Sequence, residues 1–312
     1  MTKRVLALFP VLFFLTLITF SVFRILPGDA LDVLYAESPL THDQLDELRQ
    51  QLGYNRPLYA QYADWLGGIL RLDAGNSLWT RRPVLQEIAD RMPVTFELAM
   101  VAFLIQMAVG IPIGVLAAVQ QDRWLDTILR CASIVMLAMP GFWLATIALV
   151  YLSTTFHWLP PLGGIISFWQ DPFGNLQQFF LPGLILGLSA SASITRLTRN
   201  TLLEVIRQDY VRTAFAKGLR ARRVWWVHTV RNAMIPIATV AGSQLGQLLS
   251  GAVIIETIFA LPGVGYLTLT AIQRRDIVQL EMNIVFIGTV FVLLNLLIDL
   301  SYGLFDPRIR YK

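Results

Sequence analysis

The sequence predicts an all-α integral membrane protein with six transmembrane helices and both termini in the cytoplasm. Three observations support this fold class. The 312-residue chain is 55% hydrophobic and 15% charged, which is more apolar than a soluble domain of this length requires for its core. Apolar runs of about 20 residues, the length that crosses a bilayer, recur along the chain. Lys and Arg accumulate in alternate loops, as the positive-inside rule requires.

The predicted spans follow the apolar runs in chain order. They lie near residues 5–26, 94–119, 127–152, 180–197, 236–258 and 282–304. Lys3 and Arg4 precede the first run, whereas residues 153–180 contain no Lys or Arg, so the N-terminus is placed inside and this loop outside. The first run is longer than the apolar part of a signal peptide, and it is therefore interpreted as a retained anchor.

An external helical segment is predicted between the first two spans, at residues 27–92. It has six Arg and ten acidic residues, and a loop of this length can be translocated despite its charge. Thr41 and Gln44 have the spacing of a capping box, which predicts a helix that ends at Gly53. A second helix is predicted to start near Pro57. Its buried stripe is expected to contain Leu58, Tyr62, Trp65, Leu66 and Ile69.

Two interpretations of this external segment remain open from the residues alone. It is either a small cap that packs on the membrane domain or a docking surface for a partner that carries substrate. The acidic side chains Asp43, Asp46 and Glu47 are the docking candidates, because they would favour basic residues on such a partner. Charge on a solvated helix face is common, however, and by itself does not separate the two.

A basic segment at residues 196–236 separates the fourth and fifth predicted spans. It contains nine Lys or Arg and two acids, which predicts a cytoplasmic position. Four side chains recur there at spacings of three and four residues: Leu203, Ile206, Tyr210 and Ala214. This spacing predicts one apolar helical face that docks, with Arg207, Arg212 and Lys217 facing outward. Gly218 is predicted to end the helix in the left-handed conformation. A solvated loop that only fixes topology is the alternative.

The residues of this segment closely resemble the EAA loop of binding-protein-dependent ABC importer permeases, in the variant of the dipeptide, oligopeptide and nickel branch. The resemblance is carried by Asp209-Tyr210-Val211-Arg212-Thr213-Ala214, Ala216-Lys217-Gly218-Leu219, His228, Arg231-Asn232-Ala233 and Pro236. Arg212 and Thr213 stand where Glu and Ala are usual, and Arg231 stands where a Pro usually closes the loop. These departures suit the first-permease members of the peptide and nickel branch.

Further matches extend the resemblance along the chain. They are Pro27-Gly28-Asp29, Leu72-Asp73-Ala74-Gly75-Asn76-Ser77, Val109-Gly110-Ile111-Pro112, Glu256-Thr257-Ile258-Phe259, Pro262-Gly263-Val264-Gly265 and Asp306-Pro307-Arg308-Ile309-Arg310. The external-loop match at 72–77 favours docking over a simple cap. The domain organisation that the resemblance implies is an N-terminal helix at 1–26, the external segment at 27–92, a type-1 ABC transmembrane domain at 93–305 with a coupling loop at 198–235, and a cytoplasmic tail at 306–312.

The resemblance also implies a function and partners. The chain is expected to be a bacterial inner-membrane permease subunit that forms half of a pathway for short peptides. Its expected partners are a homologous second permease, two ABC ATPases, a soluble or lipid-anchored substrate-binding protein and membrane lipids, but no nucleic acid. The ATPase-coupling residues it implies are Asp209, Tyr210, Arg212, Thr213, Ala214, Lys217, Gly218 and Leu219. Nickel chelates, opines or glutathione are alternative cargoes for the same assembly.

Small and polar residues within the apolar runs predict how the helices pack. Glycines and serines recur every four residues at 110–114, 183–191 and 242–250, which allows close backbone approach. Polar side chains in these runs should face a neighbouring helix or a watery cavity. Gln244, Gln247, Asn283 and Asn295 are the candidates for the translocation path. Glu97 and Asp299, which lie about a turn from a membrane face, are expected to form structural pairs instead.

Several chemistries are excluded by missing residue patterns. The only lysines are Lys3, Lys217 and Lys312, and none lies in a phosphate-binding loop, so ATP and Mg²⁺ are expected on partner chains and no cofactor on this one. The sequence shows no pairing of a nucleophile with a general base that would indicate an enzyme. The single cysteine and three dispersed histidines predict no metal site. A second alternative function is a channel or secondary transporter that works without ATPases. It is disfavoured because no carboxylate lies deep enough within a predicted span to act as a proton relay.

Overall fold

The computed structural model describes residues 2–25, 50, 55–161 and 164–305. Regular structure in these residues is helical, apart from one isolated antiparallel bridge between Asn76 and Pro83. The main helices are α1 (Thr2–Ile25), α2 (Leu58–Leu70), α3 (Val84–Val119), α4 (Trp124–Ala138), α5 (Gly141–Phe156), α6 (Pro172–Ile206), α7 (Asp209–Ala216), α8 (Arg231–Ile258), α9 (Val264–Gln273) and α10 (Ile277–Phe305). A helical turn, Ala221–Arg223, and a π-helical stretch, Val224–Val230, lead into α8.

Five of these helices are long and apolar enough to cross a membrane: α1, α3, α6, α8 and α10. Helices α4 and α5 meet the same test only as a pair, and they are bent by 93° at the break between them. The count of six is reached if this pair is one span, and the third span predicted at 127–152 is then a broken helix and not a continuous one. The break has a local cause. Met139 is extended (φ −81°, ψ 120°) and precedes Pro140, and a residue before proline disfavours the helical region.

Two of the apolar helices extend well beyond the runs that predicted them. Helix α3 has 36 residues and α6 has 35, which at 1.5 Å per residue gives each a length of about 53 Å. The hydrocarbon core of a bilayer is about 30 Å thick. Each helix therefore has at least one end outside the hydrocarbon.

The chain divides into two compact units, of which the first comprises Met1–Pro93 and Pro262–Leu293. Its core contains Val84, Ile88, Val264, Leu267, Met282 and Val285, and Trp65 and Ile69 of α2 pack against it. Helix α2 also contacts α1, since the rings of Phe20 and Tyr62 lie 5.4 Å apart. The second helix predicted in this segment is thus confirmed, although its apolar stripe is half-buried and Leu58 is exposed. The helix predicted from Thr41 lies outside the described residues.

One buried carboxylate organises the loop before α3 in this unit. Asp276 is only 4% exposed and accepts hydrogen bonds from the Ser77 hydroxyl at 2.5 Å and the Leu78 amide at 3.2 Å. It also accepts from the Gln279 amide at 3.1 Å and so caps the start of α10. The loop at 72–83 is therefore joined to α10 by a side chain that serves two segments at once.

The second unit, Val94–Leu261 with Leu294–Lys312, is packed through the predicted small residues. A Cβ added at Gly114 of α3 would lie 2.6 Å from the Thr198 Cβ of α6, and one at Gly187 of α6 would lie 2.5 Å from the Ala102 carbonyl oxygen of α3. Helix α8 approaches α10 in the same way, because a Cβ at Gly242 would lie 2.8 Å from Ile298. The small residues thus allow contacts that a larger side chain would prevent, as the sequence predicted.

Candidate functional site

The basic segment folds as a short helix, α7, between the two long helices α6 and α8. Helix α6 ends at Ile206, and Gln208 adopts an extended conformation (φ −70°, ψ 146°) before α7 begins at Asp209. The continuous apolar face predicted from Leu203 to Ala214 is therefore wrong, since it assumed one uninterrupted helix. The break turns the chain and gives α7 its own packing face.

The buried face of α7 is formed by Val211 and Ala214, three residues apart. These side chains form a small core with Val224 of the following π-helical stretch, and Ile206 and Leu219 pack around it. Val211 and Val224 are fully buried. Tyr210, which was predicted to dock on this face, is 45% exposed and its hydroxyl accepts a hydrogen bond from the Asn232 side chain at 3.2 Å.

Gly218 ends this segment in the predicted conformation, with φ +75°. The Leu219 amide donates to the Ala214 carbonyl at 3.3 Å, and the Gly218 amide donates to the Phe215 carbonyl at 2.9 Å. The first bond spans five residues, as in a Schellman cap, which satisfies carbonyls that would otherwise be orphaned at the helix end. Apart from its chain neighbours, no atom of the described residues lies within 4 Å of a Cβ added at Gly218, so the demand for glycine comes from the backbone conformation and not from space.

The outer face of α7 combines charge with exposed aromatic surface. Arg212 and Lys217 are exposed, as predicted, and so are Tyr210 and Phe215, the latter with 43% of its surface accessible. The Arg212–Asp209 pair, at 3.8 Å, is almost fully solvated and adds little stability. Thr213 donates its hydroxyl to the Asp209 carbonyl at 2.8 Å. This face is thus available for a partner, while the inner face connects α6 to α8.

A cavity of about 280 Å³, named the glutamine cavity here after Gln244 and Gln247, lies between helices of the second unit, with room for about nine waters. Its polar lining comes from α6 and α8: Ser189, Ser193, Gln244 and Gln247. The rest of its lining includes Phe142, Leu186, Leu248 and Ile254. These four polar side chains thus face a cavity, and the assignment of Gln244 and Gln247 to the translocation path stays a prediction.

Gln106 of α3 closes one wall beside this cavity. Its side-chain nitrogen donates to the Ala190 carbonyl at 3.2 Å and to the side-chain oxygen of Gln244. Gln106 is fully buried, and its own side-chain oxygen has no hydrogen-bond partner in the described part of the chain. A buried amide with an unused acceptor is costly.

The other predicted polar positions have different surroundings. Asn283 is fully buried and accepts from the Gln279 side chain at 2.8 Å, and Asn295 is half-buried. Their assignment to a pathway stays a prediction. Glu97 accepts from the Asn175 side chain at 2.6 Å, which confirms its expected structural pairing. The side chain of Asp299 and the docking candidates Asp43, Asp46 and Glu47 lie outside the described part of the structure.

Sequence reasoning missed the ion pair between Asp126 of α4 and Arg199 of α6. The guanidinium donates through Nε at 2.8 Å and through its terminal nitrogen at 2.7 Å to the two carboxylate oxygens. Asp126 is fully buried, and Arg199 is 14% exposed. Arg130 adds a contact at 3.4 Å. The only available signal was an acid within an apolar run, since the partner lies 73 residues away.

Comparison with known proteins identifies the family. Residues 110–311 match the family of binding-protein-dependent transport system inner membrane components, and residues 1–99 match the N-terminal family of the same membrane components. A putative peptide transport system permease protein of Brucella abortus is 39% identical over 309 residues, which cover 99% of this chain and 98% of that protein. The dipeptide transport system permease protein DppB of Escherichia coli is 36% identical over 335 residues, with the same coverage.

A solved structure supports the fold. An inward-facing form of the MetNI methionine ABC transporter aligns with a TM-score of 0.54 at 16% identity, covering 73% of this chain and 98% of that one. At this identity the likeness concerns the fold alone. The family match spans more than half of the sequence, and relatives above 35% identity span nearly all of it. The chain therefore belongs to the family of binding-protein-dependent transport system inner membrane components.

Proposed function

We propose that this chain forms half of the translocation pathway of an ATP-driven importer for short peptides. The permease relatives named for peptides and dipeptides, at 36–39% identity over almost the whole chain, support this cargo. A substrate-binding protein delivers the peptide outside, a homologous second permease completes the pathway, and two ABC ATPases bind inside. ATP and Mg²⁺ are held by those ATPases and no cofactor by this chain.

The observation that carries the proposal is the placement of α7 between the ends of α6 and α8. One face of α7 is fastened by Val211 and Ala214 to the segment that enters α8, while the opposite face exposes Tyr210, Phe215 and Arg212. A partner that moves this outer face therefore moves two long helices together, as a rigid-body transmission. Asp209, Thr213, Lys217, Gly218 and Leu219 complete the coupling segment.

The membrane orientation follows from the charge of the loops. The basic segment that contains α7 lies in the cytoplasm with both termini, and the segment at 27–92 lies outside, where Asp43, Asp46 and Glu47 contact the binding protein. The third span is the bent pair α4–α5. Residues 93–305 form the type-1 transmembrane domain, 198–235 its coupling loop and 306–312 a cytoplasmic tail.

The glutamine cavity between α6 and α8 belongs to the pathway in this proposal. Gln244 and Gln247 offer amide donors and acceptors to a peptide backbone. The surrounding apolar wall does not distinguish one peptide side chain from another. Selection is therefore assigned to the binding protein. Asn283 and Asn295 are the remaining pathway candidates.

Reconstitution tests the proposal. This chain, the second permease, the ATPases and the binding protein are placed in proteoliposomes, and uptake of labelled di- and tripeptides is measured with ATP hydrolysis. We expect peptide uptake that requires ATP and the binding protein, and no hydrolysis by this chain alone. Uptake of nickel chelates, opines or glutathione in place of peptides would reassign the cargo. Uptake without the ATPases would overturn the proposal in favour of a channel or secondary transporter.

A further inference from the structure

A second cavity, of about 190 Å³, lies between α4 and α6 and is separate from the glutamine cavity. Three arginines are among its lining residues: Arg130, Arg196 and Arg199. The remaining wall is mainly apolar, with Leu129, Ile134 and Leu137 along α4 and Ala117 from α3. A cavity of this kind combines a cationic end with an aliphatic surface.

The charge of this cavity is not balanced by the protein. Asp126 is its nearest acid, and both of its oxygens are already occupied by Arg199, by Arg130 at 3.4 Å and by the Asp122 amide at 3.2 Å. A carboxylate offers about four acceptor positions, so this one is saturated. In the described chain no acid lies within ion-pair distance of Arg196. The Asp122 carboxylate also lies close enough to act on Arg199, so three cations stand against two anions and a net charge of about +1 remains at the cavity.

The surroundings indicate a lipid-facing position. Ile134, Val135 and Leu137 of α4 are at least 42% exposed, a cost in water that disappears against acyl chains. Trp124, 74% exposed at the start of α4, is the type of residue found at the level of lipid headgroups. Arg130 lies six residues further along, about 9 Å, and side chains of a helix lean back toward its N-terminus. Its guanidinium can thus reach the headgroup level.

We propose that this cavity binds the headgroup phosphate of an anionic phospholipid at the cytoplasmic face, with an acyl chain along Ile134 and Leu137. Arg130 and Arg196 hold the phosphate. Arg199 is held by Asp126, fixes the spacing between α4 and α6 and so forms the inner end of the cavity. Basic pockets between transmembrane helices on the cytoplasmic side favour such headgroups. The inference uses the orientation given above but is independent of cargo and of coupling.

Native mass spectrometry of the purified full complex tests this site. Phosphatidylglycerol and phosphatidylcholine with the same acyl chains are added, and retained lipid is counted. The wild type should retain phosphatidylglycerol preferentially. Arg130→Gln with Arg196→Gln should weaken this retention roughly 25-fold, since each cation near a membrane surface is worth about a fivefold factor in affinity. The matched control, Arg123→Gln with Arg207→Gln, removes two exposed cations outside the cavity and should leave retention unchanged.

Two further arms separate the lipid from other occupants. Millimolar inorganic phosphate should not displace the lipid, because it cannot use the apolar wall; equal displacement would overturn the lipid assignment in favour of a free anion site.

Cys131, the only cysteine of this chain and exposed next to Arg130, takes a fluorophore in a complex whose other subunits lack cysteine. Brominated phosphatidylglycerol should quench it more than brominated phosphatidylcholine. No quenching would indicate that the second permease covers this face. Equal loss in both double variants would also refute the site. None of these readouts requires transport.

Discussion

Removal of the Arg199 guanidinium should destabilise the membrane domain by leaving a buried carboxylate without its main partner. Asp126 has no exposed side-chain surface, and Arg199 supplies its two shortest bonds, at 2.7 and 2.8 Å. Breaking a buried pair from one side costs about 3–5 kcal/mol. Arg130 and the Asp122 amide remain close to the carboxylate, so Arg199→Met should fall near the lower end, at about 3 kcal/mol. Arg199→Lys keeps the charge but loses the two-pronged geometry, and should cost about 1–2 kcal/mol.

A double-mutant cycle measures this coupling. Asp126→Asn, Arg199→Met and the double variant are unfolded by denaturant in detergent micelles, and free energies of unfolding are compared with the wild type. The double variant should recover most of the loss, because it removes the uncompensated charge together with its partner. If Arg199→Met stayed within 0.5 kcal/mol of the wild type, or if Asp126→Asn failed to restore it, the pair would not hold α4 on α6 as described.

Two further predictions concern packing and topology. Gly114→Ala should destabilise the fold by about 1–3 kcal/mol because its Cβ would lie 2.6 Å from Thr198. The control Gly67→Ala, with no described atom within 4 Å of the new Cβ, should be neutral or stabilising by up to about 1 kcal/mol. Thermal unfolding of both variants measures the difference, and an equal response would contradict the close approach of α3 and α6. Single cysteines at Ser167 and Arg222, introduced after Cys131→Ser, should react with a membrane-impermeant reagent from opposite sides of the membrane; labelling from one side would contradict the proposed orientation.

Local sequence signals predicted the features that depend on local backbone chemistry. Gly218 was identified because a left-handed cap needs a residue without a Cβ, and its φ of +75° agrees. The spacing of Gly110 and Gly114 predicted a close helix contact because small residues at every fourth position share a face. These inferences need only the sequence within one or two turns.

Features set by non-local contacts were harder to predict. The apolar spacing from Leu203 continued through Arg207 and Gln208, so periodicity gave no sign that the helix stops there. Hydropathy likewise showed one run at 127–152, although Pro140 was a local sign of the 93° bend. The Asp126–Arg199 pair joins positions 73 residues apart, and no periodicity within a single helix carries that information.

The central claim, that α7 transmits ATPase movement to the transmembrane helices, depends on the cap at Gly218. A β-branched residue at φ +75° costs about 1–3 kcal/mol and would reorient α7 without touching the membrane core, since none of the described residues beyond its chain neighbours lies within 4 Å of the added Cβ. Gly218→Asn, which tolerates this conformation better, and Arg222→Ala, which removes one charge from the loop, are the matched controls.

The decisive measurement is peptide uptake and ATP hydrolysis by the reconstituted complex carrying each variant, normalised to membrane abundance. Gly218→Val should insert at near-normal levels and lose uptake, either by losing its ATPases or by hydrolysing ATP without transport, while both controls retain most activity. Normal, ATP-coupled uptake by Gly218→Val would contradict the assignment of α7 as the coupling helix.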